Sequence, residues 1–179
     1  MRIVVYGRPA PQGSKKPMGG YTSKITGKWT PRMVEQSAYV APWREAVKDA
    51  ALRVRAATGS LLPEPALDGP LIGSIVFTIE RPKKPRFPHP ATAPDLSKLL
   101  RSTEDALKDA GAISDDSRIV RYRHLAKVFV GDPEALDAPG CVIEIEAMQL
   151  TPAVKSRAKA AIAQPQLFPL IPAQARDPF

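Results

Sequence analysis

Residues 94–120 read PDLSKLLRSTEDALKDAGAISDDSRIV, and this stretch decides the fold class. Leu96, Leu99, Leu100, Thr103, Leu107 and Ala110 recur at helical spacing, while Lys98, Arg101, Ser102, Asp105 and Lys108 occupy the other face. The spacing predicts a helix that starts at Asp95 and stops at Gly111. ISDDS is turn sequence, and Arg118 to Val130 follows as a strand.

Reading outward, Leu71 to Glu80 alternates Ile75, Phe77 and Ile79 with Ser74, Val76 and Thr78, the pattern of a strand. Arg2 to Tyr6 is a β-branched run closed by Gly7 and Pro9, hence a first strand. Val40, Trp43, Val47, Ala50, Ala51 and Val54 predict a helix over Ser37 to Ala57, with Pro42 in its first turn. Cys141 to Met148 alternates Ile143 and Ile145 with Glu144 and Glu146, a last strand. The order is β-α-β-α-β-β, an α/β chain with a small mixed sheet of about four strands packed with helices. Helical crossovers favour parallel neighbours, and the short last connection favours a hairpin of the final two strands. Between the first strand and first helix, Arg8 to Pro31 reads as a long loop carrying Lys15, Lys16, Lys24 and Lys28 beside Tyr21 and Trp29. Residues 81–94, RPKKPRFPHPATAP, hold four cations and five prolines and predict an extended, solvated arm. Residues 150–179, rich in proline and alanine without periodicity, read as a disordered tail behind a domain of residues 1–149.

Residues 1–60 hold eleven Lys and Arg against three acids, so the whole net charge of +8 sits in the first third of 179 residues. Such a surface attracts phosphate backbone and makes nucleic acid the leading partner. Lys15, Lys16, Lys24, Lys28, Lys83, Lys84 and Arg86 are the candidate DNA contacts. A single cysteine, Cys141, excludes a disulfide framework and a Cys-based zinc site and suits a reducing cytoplasm. The N-terminus reads too short in apolar run for a signal peptide, and no run of about 18 apolar residues suggests a membrane span. Phosphate-binding loops, dinucleotide fingerprints and nucleophile elbows are absent from the sequence, and His89 and His124 form no pair.

Carboxylates remain. Asp95 stands where the basic arm meets the second helix, and Asp115 and Asp116 stand where that helix turns into a strand. A helix of 14 residues is about 21 Å long, so these acids meet only if the following strand runs back beside the helix start or the turn folds over it. Converged, they form an oxygen-lined site for Mg²⁺ or Mn²⁺. The alternative roles are a helix N-cap for Asp95 and turn-forming for the Asp pair.

The block Pro94 to Arg101, continued by Glu104-Asp105-Ala106-Leu107, Ala110-Gly111 and Asp115-Asp116-Ser117-Arg118-Ile119-Val120, resembles the RusA-type Holliday-junction resolvases. The opening strand with Gly7-Arg8-Pro9-Ala10-Pro11-Gln12-Gly13-Ser14-Lys15, and Pro42-Trp43-Arg44, is similar to the phage and actinobacterial branch. The resemblance spans residues 1 to about 148. It implies a homodimeric, Mg²⁺-dependent endonuclease, with Mn²⁺ as a substitute, that nicks four-way DNA junctions symmetrically in recombination and repair. Of the family's three aspartates, the first falls on Asp95 and the last on Asp116, preceded by Asp115, whereas the middle one falls on Ser97 and the family's helix lysine on Arg101. The resemblance thus assigns Asp95 and Asp116 to metal and catalysis and Arg101 to the scissile phosphate, with Asp115 a further candidate for both roles beside Asp116. The missing carboxylate at Ser97 calls for recruitment of Asp115 or Glu104 or for more water on the metal, and otherwise leaves a junction-binding protein impaired in catalysis; a basic RNA-binding accessory protein is the other alternative. A two-fold dimer is expected through strand residues near Ile75, Phe77 and Val128. Gln164-Pro165-Gln166-Leu167-Phe168 resembles the peptide by which bacterial repair proteins dock on the sliding clamp, with Gln164, Leu167 and Phe168 as its anchors.

Overall fold

The computed structural model describes residues 1–13, 15–35, 38–57 and 65–149, without the side chains of residues 15–17 and 32–35. Hydrophobic alternation builds its centre. Strands β1 (Arg2–Tyr6), β4 (Leu71–Ile79), β5 (Ile119–Phe129) and β6 (Gly140–Ala147) form one sheet in the order β1-β6-β4-β5. Ile3 faces Ile143, which faces Ile75, and Val5 faces Cys141, which faces Phe77; these side chains share one face and are fully buried. Helices α1 (Val40–Ala56) and α2 (Leu96–Asp109) cover that face with Trp43, Val47, Leu99 and Leu107. A fully buried side chain of this size contributes roughly 1.5–3 kcal/mol, so this layer carries most of the stability.

The two helices are locked by polar contacts that leave little in the core unpaired. The Trp43 indole N–H donates to the Thr103 hydroxyl at 3.1 Å, and the Thr103 hydroxyl donates to the Leu99 carbonyl. Arg44 spans from α1 to Asp105 and Asp109 of α2 at 3.5 and 2.7 Å. The Ser102 hydroxyl donates to the Ala10 carbonyl, tying the chain after β1 onto α2.

β4 and β5 run parallel across the α2 crossover, as the order of elements predicts. The final two strands, however, do not form the expected hairpin. β4 lies between β5 and β6, and β6 pairs antiparallel with both β1 and β4. The reason lies in burial: β6 carries Cys141, Ile143 and Ile145 wholly buried and takes a central place, whereas β5, with Arg121 and Arg123 exposed, takes an edge. Ile75 and Phe77, expected at a dimer surface, are fully buried in the core and cannot form one; Val128 is only half-buried.

The expected loop of Arg8 to Pro31 is also corrected. It contains β2 (Lys15–Thr22) and the start of β3 (Trp29–Glu35), an antiparallel ribbon separate from the main sheet. The signal is hidden because Pro17, Gly19 and Gly20 break β patterning. Gly20 is required there, since a Cβ would lie 2.5 Å from the Trp29 ring that crosses it. α1 begins at Val40, with Pro42 in the first turn; Ser37 lies outside the described residues. The residues 81–94 arm has no regular structure and is largely exposed. Residues 150–179, expected as a tail, lie outside the described residues.

Candidate functional site

Asp95 occupies the N-cap position of α2, yet its side chain makes no capping hydrogen bond. Its backbone carbonyl accepts from the N–H groups of Lys98 and Leu99, while its carboxylate turns outward to Lys98 Nζ at 3.2 Å. The helix then presents Ser97, Arg101, Glu104 and Lys108 at spacings of four, three and four residues, one continuous stripe.

At the far end of that stripe the chain turns. Asp115 caps the short 3₁₀ turn Asp116–Arg118 by accepting from Ser117 N–H at 3.1 Å, so its turn-forming role is real. Its other oxygen accepts from Lys108 Nζ. These bonds hold the Asp115 carboxyl well below the usual range, and raise the Lys108 ammonium. Asp116 also accepts from Ser117 N–H, at 3.0 Å, and its charge reaches Glu104. Glu104 is half-buried, and desolvation first, then the charges of Asp116 and Asp105, push its carboxyl up; a hydrogen bond from Tyr122 and the charge of Arg101 oppose this.

β5 runs back beside α2. Tyr122 on β5 donates its hydroxyl to Glu104 at 2.6 Å, and Gly73 on β4 makes room for the ring, since a Cβ there would lie 2.6 Å from it. Burial and Glu104 push the Tyr122 phenol up, so it stays a donor. Farther along, Lys127 Nζ donates to the carbonyls of Thr92 and Pro94 at 2.6 and 2.7 Å, next to Asp95. Desolvation lowers Lys127, and the Asp95 charge opposes the shift.

The strand therefore does return to the helix start, but it brings Lys127 there rather than the Asp pair. Asp116 sits with Glu104, Asp115 and Lys108, while Asp95 sits with Lys98 and Lys127, and Glu104 is about 13 Å along the helix axis from Asp95. No group of three or more Asp, Glu, His or Cys poised around one ion occurs among the described residues. Arg101 lies on the stripe between the two acid stations.

A family model of endodeoxyribonuclease RusA matches residues 14–146, a span that includes both acid stations, Arg101, the ribbon and every strand but β1 and the last residue of β6. The chain belongs to the RusA endodeoxyribonuclease family. No curated protein matches it significantly. As a RusA-family nuclease it acts on a phosphodiester backbone, and its candidate DNA contacts fall in two places. Lys83, Lys84 and Arg86 line the exposed arm that delivers the chain to Asp95. Lys24 and Lys28 are exposed at the tip of the ribbon; Lys15 and Lys16 lie in β2, with side chains outside the described set. No helix among the described residues is long and apolar enough to cross a membrane.

Sequence pattern alone gives no functional part to Lys108, Tyr122 or Lys127. Each is an ordinary residue of its element, and only the return of β5 along α2 gives it a partner.

Proposed function

We propose that the chain is a Holliday-junction resolvase: a Mg²⁺-dependent, homodimeric endonuclease that nicks four-way DNA in recombination and repair. The observation that carries this reading is the family match over residues 14–146, and it is supported by Arg101, which lies along α2 between Asp95 at the helix start and Glu104, whose carboxyl feels the charge of Asp116.

The donor chemistry suits a hard divalent cation. Mg²⁺ keeps several waters and takes one or two protein carboxylates plus substrate phosphate. Asp116 burdens the half-buried Glu104 with a like charge that a cation would relieve. Asp116 and Glu104 are accordingly the first candidates to hold Mg²⁺ or Mn²⁺, with Asp115 behind them and Asp95 serving the reaction from the helix start. When bound, the ion would activate water and neutralise charge developing on the phosphate. Arg101 would hold the non-bridging oxygens, and its planar fork suits that task, though with a reach different from lysine. Tyr122 keeps Glu104 oriented, and Lys108 keeps Asp115 ionised. Glu104 answers the loss of the middle carboxylate at Ser97, since both lie on the same stripe.

The outer face of the sheet suits self-association better than the buried positions. Val4, Val142, Val76 and Ala126 form a cross-strand row, each half-buried, opposite the core. An isologous dimer through this row would present two sites for two opposed nicks. The tail anchors Gln164, Leu167 and Phe168 lie outside the described residues, and docking on a sliding clamp is proposed from their sequence alone, testable with a synthetic peptide of residues 160–174.

The deciding experiment is a gel assay on a synthetic mobile junction with Mg²⁺ and with EDTA. Paired nicks in Mg²⁺ alone are expected. Binding without nicking would favour the second reading, a junction binder impaired by Ser97, and preference for RNA would overturn both.

A further inference from the structure

The ribbon keeps four large apolar side chains in water: Met18, Tyr21, Ile25 and Trp29 are 67%, 64%, 95% and 57% exposed. Its tip is nevertheless tightly built. Ser23 N–H donates to the Lys28 carbonyl and Gly27 N–H to the Ser23 carbonyl, while the Ser23 hydroxyl accepts from the N–H groups of Ile25 and Thr26. Gly27 takes the left-handed backbone, with φ of 66°, that closes the turn. This framework fixes a β-branched apolar side chain at the extreme of the tip, between two exposed lysines, Lys24 and Lys28, that make no ion pair among the described residues. Behind it the Trp29 ring lies across Gly20, so one aromatic face is set against the strand and the ring remains more than half open.

A turn held by four hydrogen bonds has no folding reason to display isoleucine in water. Proteins that open or kink a duplex use this combination: an apolar wedge entering a base step, with cations on the flanking phosphates. We propose that the ribbon is a branch-point wedge, in which Ile25 enters the opened base step at the crossover of the junction, Lys24 and Lys28 grip the phosphates on either side, and Trp29 offers a surface for a displaced base. The proposal rests on the junction-resolvase reading and adds how the branch itself is recognised. A second copy of this chain is the rival occupant. Charge speaks against it, because an isologous contact through the tip would bring two pairs of lysines together.

The test uses full-length protein and a four-way junction with 2-aminopurine at the crossover, in Ca²⁺ to suppress cutting. Saturating wild type is expected to raise the fluorescence about twofold or more as the base unstacks. Ile25→Ser, at concentrations that also saturate the junction, should bind more weakly by about tenfold and lose the rise, whereas Ile25→Leu should restore it. Circular dichroism melts confirm that each variant is folded. An equal rise with Ile25→Ser, or junction binding by wild type with no rise, overturns the wedge and leaves the resolvase reading standing. A dimer that becomes monomeric on Ile25→Ser in light scattering assigns the tip to a second copy and also overturns it. Failure of wild type to shift the junction in a gel removes both.

Discussion

The four-stranded sheet and the two-stranded ribbon place their apolar residues in opposite surroundings. In the sheet, Ile3, Val5, Ile75, Phe77 and Ile143 are sealed between strands and helices, and polar groups near them, such as Thr103 and Ser102, are hydrogen-bonded. In the ribbon, Tyr21, Ile25 and Trp29 face water, and among the described residues the strands pair only with each other. A two-stranded hairpin is marginal by itself, and among the described residues the Ser23 turn and the Trp29 ring on Gly20 brace this one locally. The contrast separates two tasks. The sheet and helices hold the Glu104 stripe through packed and hydrogen-bonded elements, while the ribbon reserves apolar and cationic surface for something outside the fold.

Substitutions should therefore fall into distinct classes. The largest effect is expected at the rim of the core: Asp116→Asn, and separately Asp95→Asn, should lower junction nicking by about three orders of magnitude with junction affinity held or improved. Single-turnover cleavage and gel shift on the same preparations check this, and full activity in either variant would remove that acid from the site. Next in size is the core itself. Trp43→Ala removes a buried indole and leaves Thr103 with one partner fewer, at a cost of about 3–5 kcal/mol, read from urea denaturation. If the ribbon is energetically independent, this variant should keep the wild-type salt dependence of junction binding at temperatures where it remains folded.

A smaller and complementary effect is expected in the ribbon. Lys24→Ala combined with Lys28→Ala should flatten the log–log salt slope of junction binding by about 1.8, near 0.9 for each lost phosphate contact. Thermal stability should move by no more than about 0.5 kcal/mol, as befits exposed positions. A hundredfold loss in single-turnover rate at saturating protein would instead place these lysines at the reacting phosphate.

The same contrast explains what the sequence discloses. Core elements are legible because burial imposes a period: Leu99, Leu107 and Ala110 mark α2, and Ile143 and Ile145 mark β6. The ribbon is illegible for the converse reason, since residues 18–22 and 29–31 are exposed and need not alternate, and its glycines and prolines read as loop. Strand order is also hidden. A connection of ten residues between β5 and β6 looks like a hairpin, and only competition for the central place, won by the more apolar β6, separates them. At the site, Asp95, Asp115, Asp116 and Arg101 are visible as residues, but their grouping is not. Lys127 reaches Asp95 because strand and helix run antiparallel over a matching length, a relation between elements distant in sequence.

The smallest effect concerns acid stability and again divides the acid cluster. Asp115 is partly exposed and held ionised by Lys108 and Ser117, so its carboxyl lies below its ordinary value of 3.8. Once the pH drops below that value the unfolded chain takes up a proton that the folded chain does not, so stability is fully present above it and is lost as the pH falls towards the folded value. Glu104 has the opposite sign. Burial and the neighbouring Asp116 and Asp105 raise its carboxyl above 4.5, so the folded chain retains a proton that the unfolded chain has already released. Its ionisation therefore lowers stability as the pH rises through 4.5 towards the folded value. Urea midpoints measured from pH 3 to pH 7 should separate the two. Asp115→Asn should flatten the acid limb below about pH 4, while Glu104→Gln, which keeps an oxygen for the Tyr122 hydroxyl, should match wild type at pH 4 and exceed it slightly at pH 7. Added Mg²⁺ sharpens the comparison: an ion held by Asp116 and Glu104 should raise the wild-type midpoint at pH 7 and leave that of Glu104→Gln nearly unmoved. Equal Mg²⁺ responses in both proteins would show that Glu104 is a buried structural acid and that the missing carboxylate at Ser97 has no replacement on this stripe.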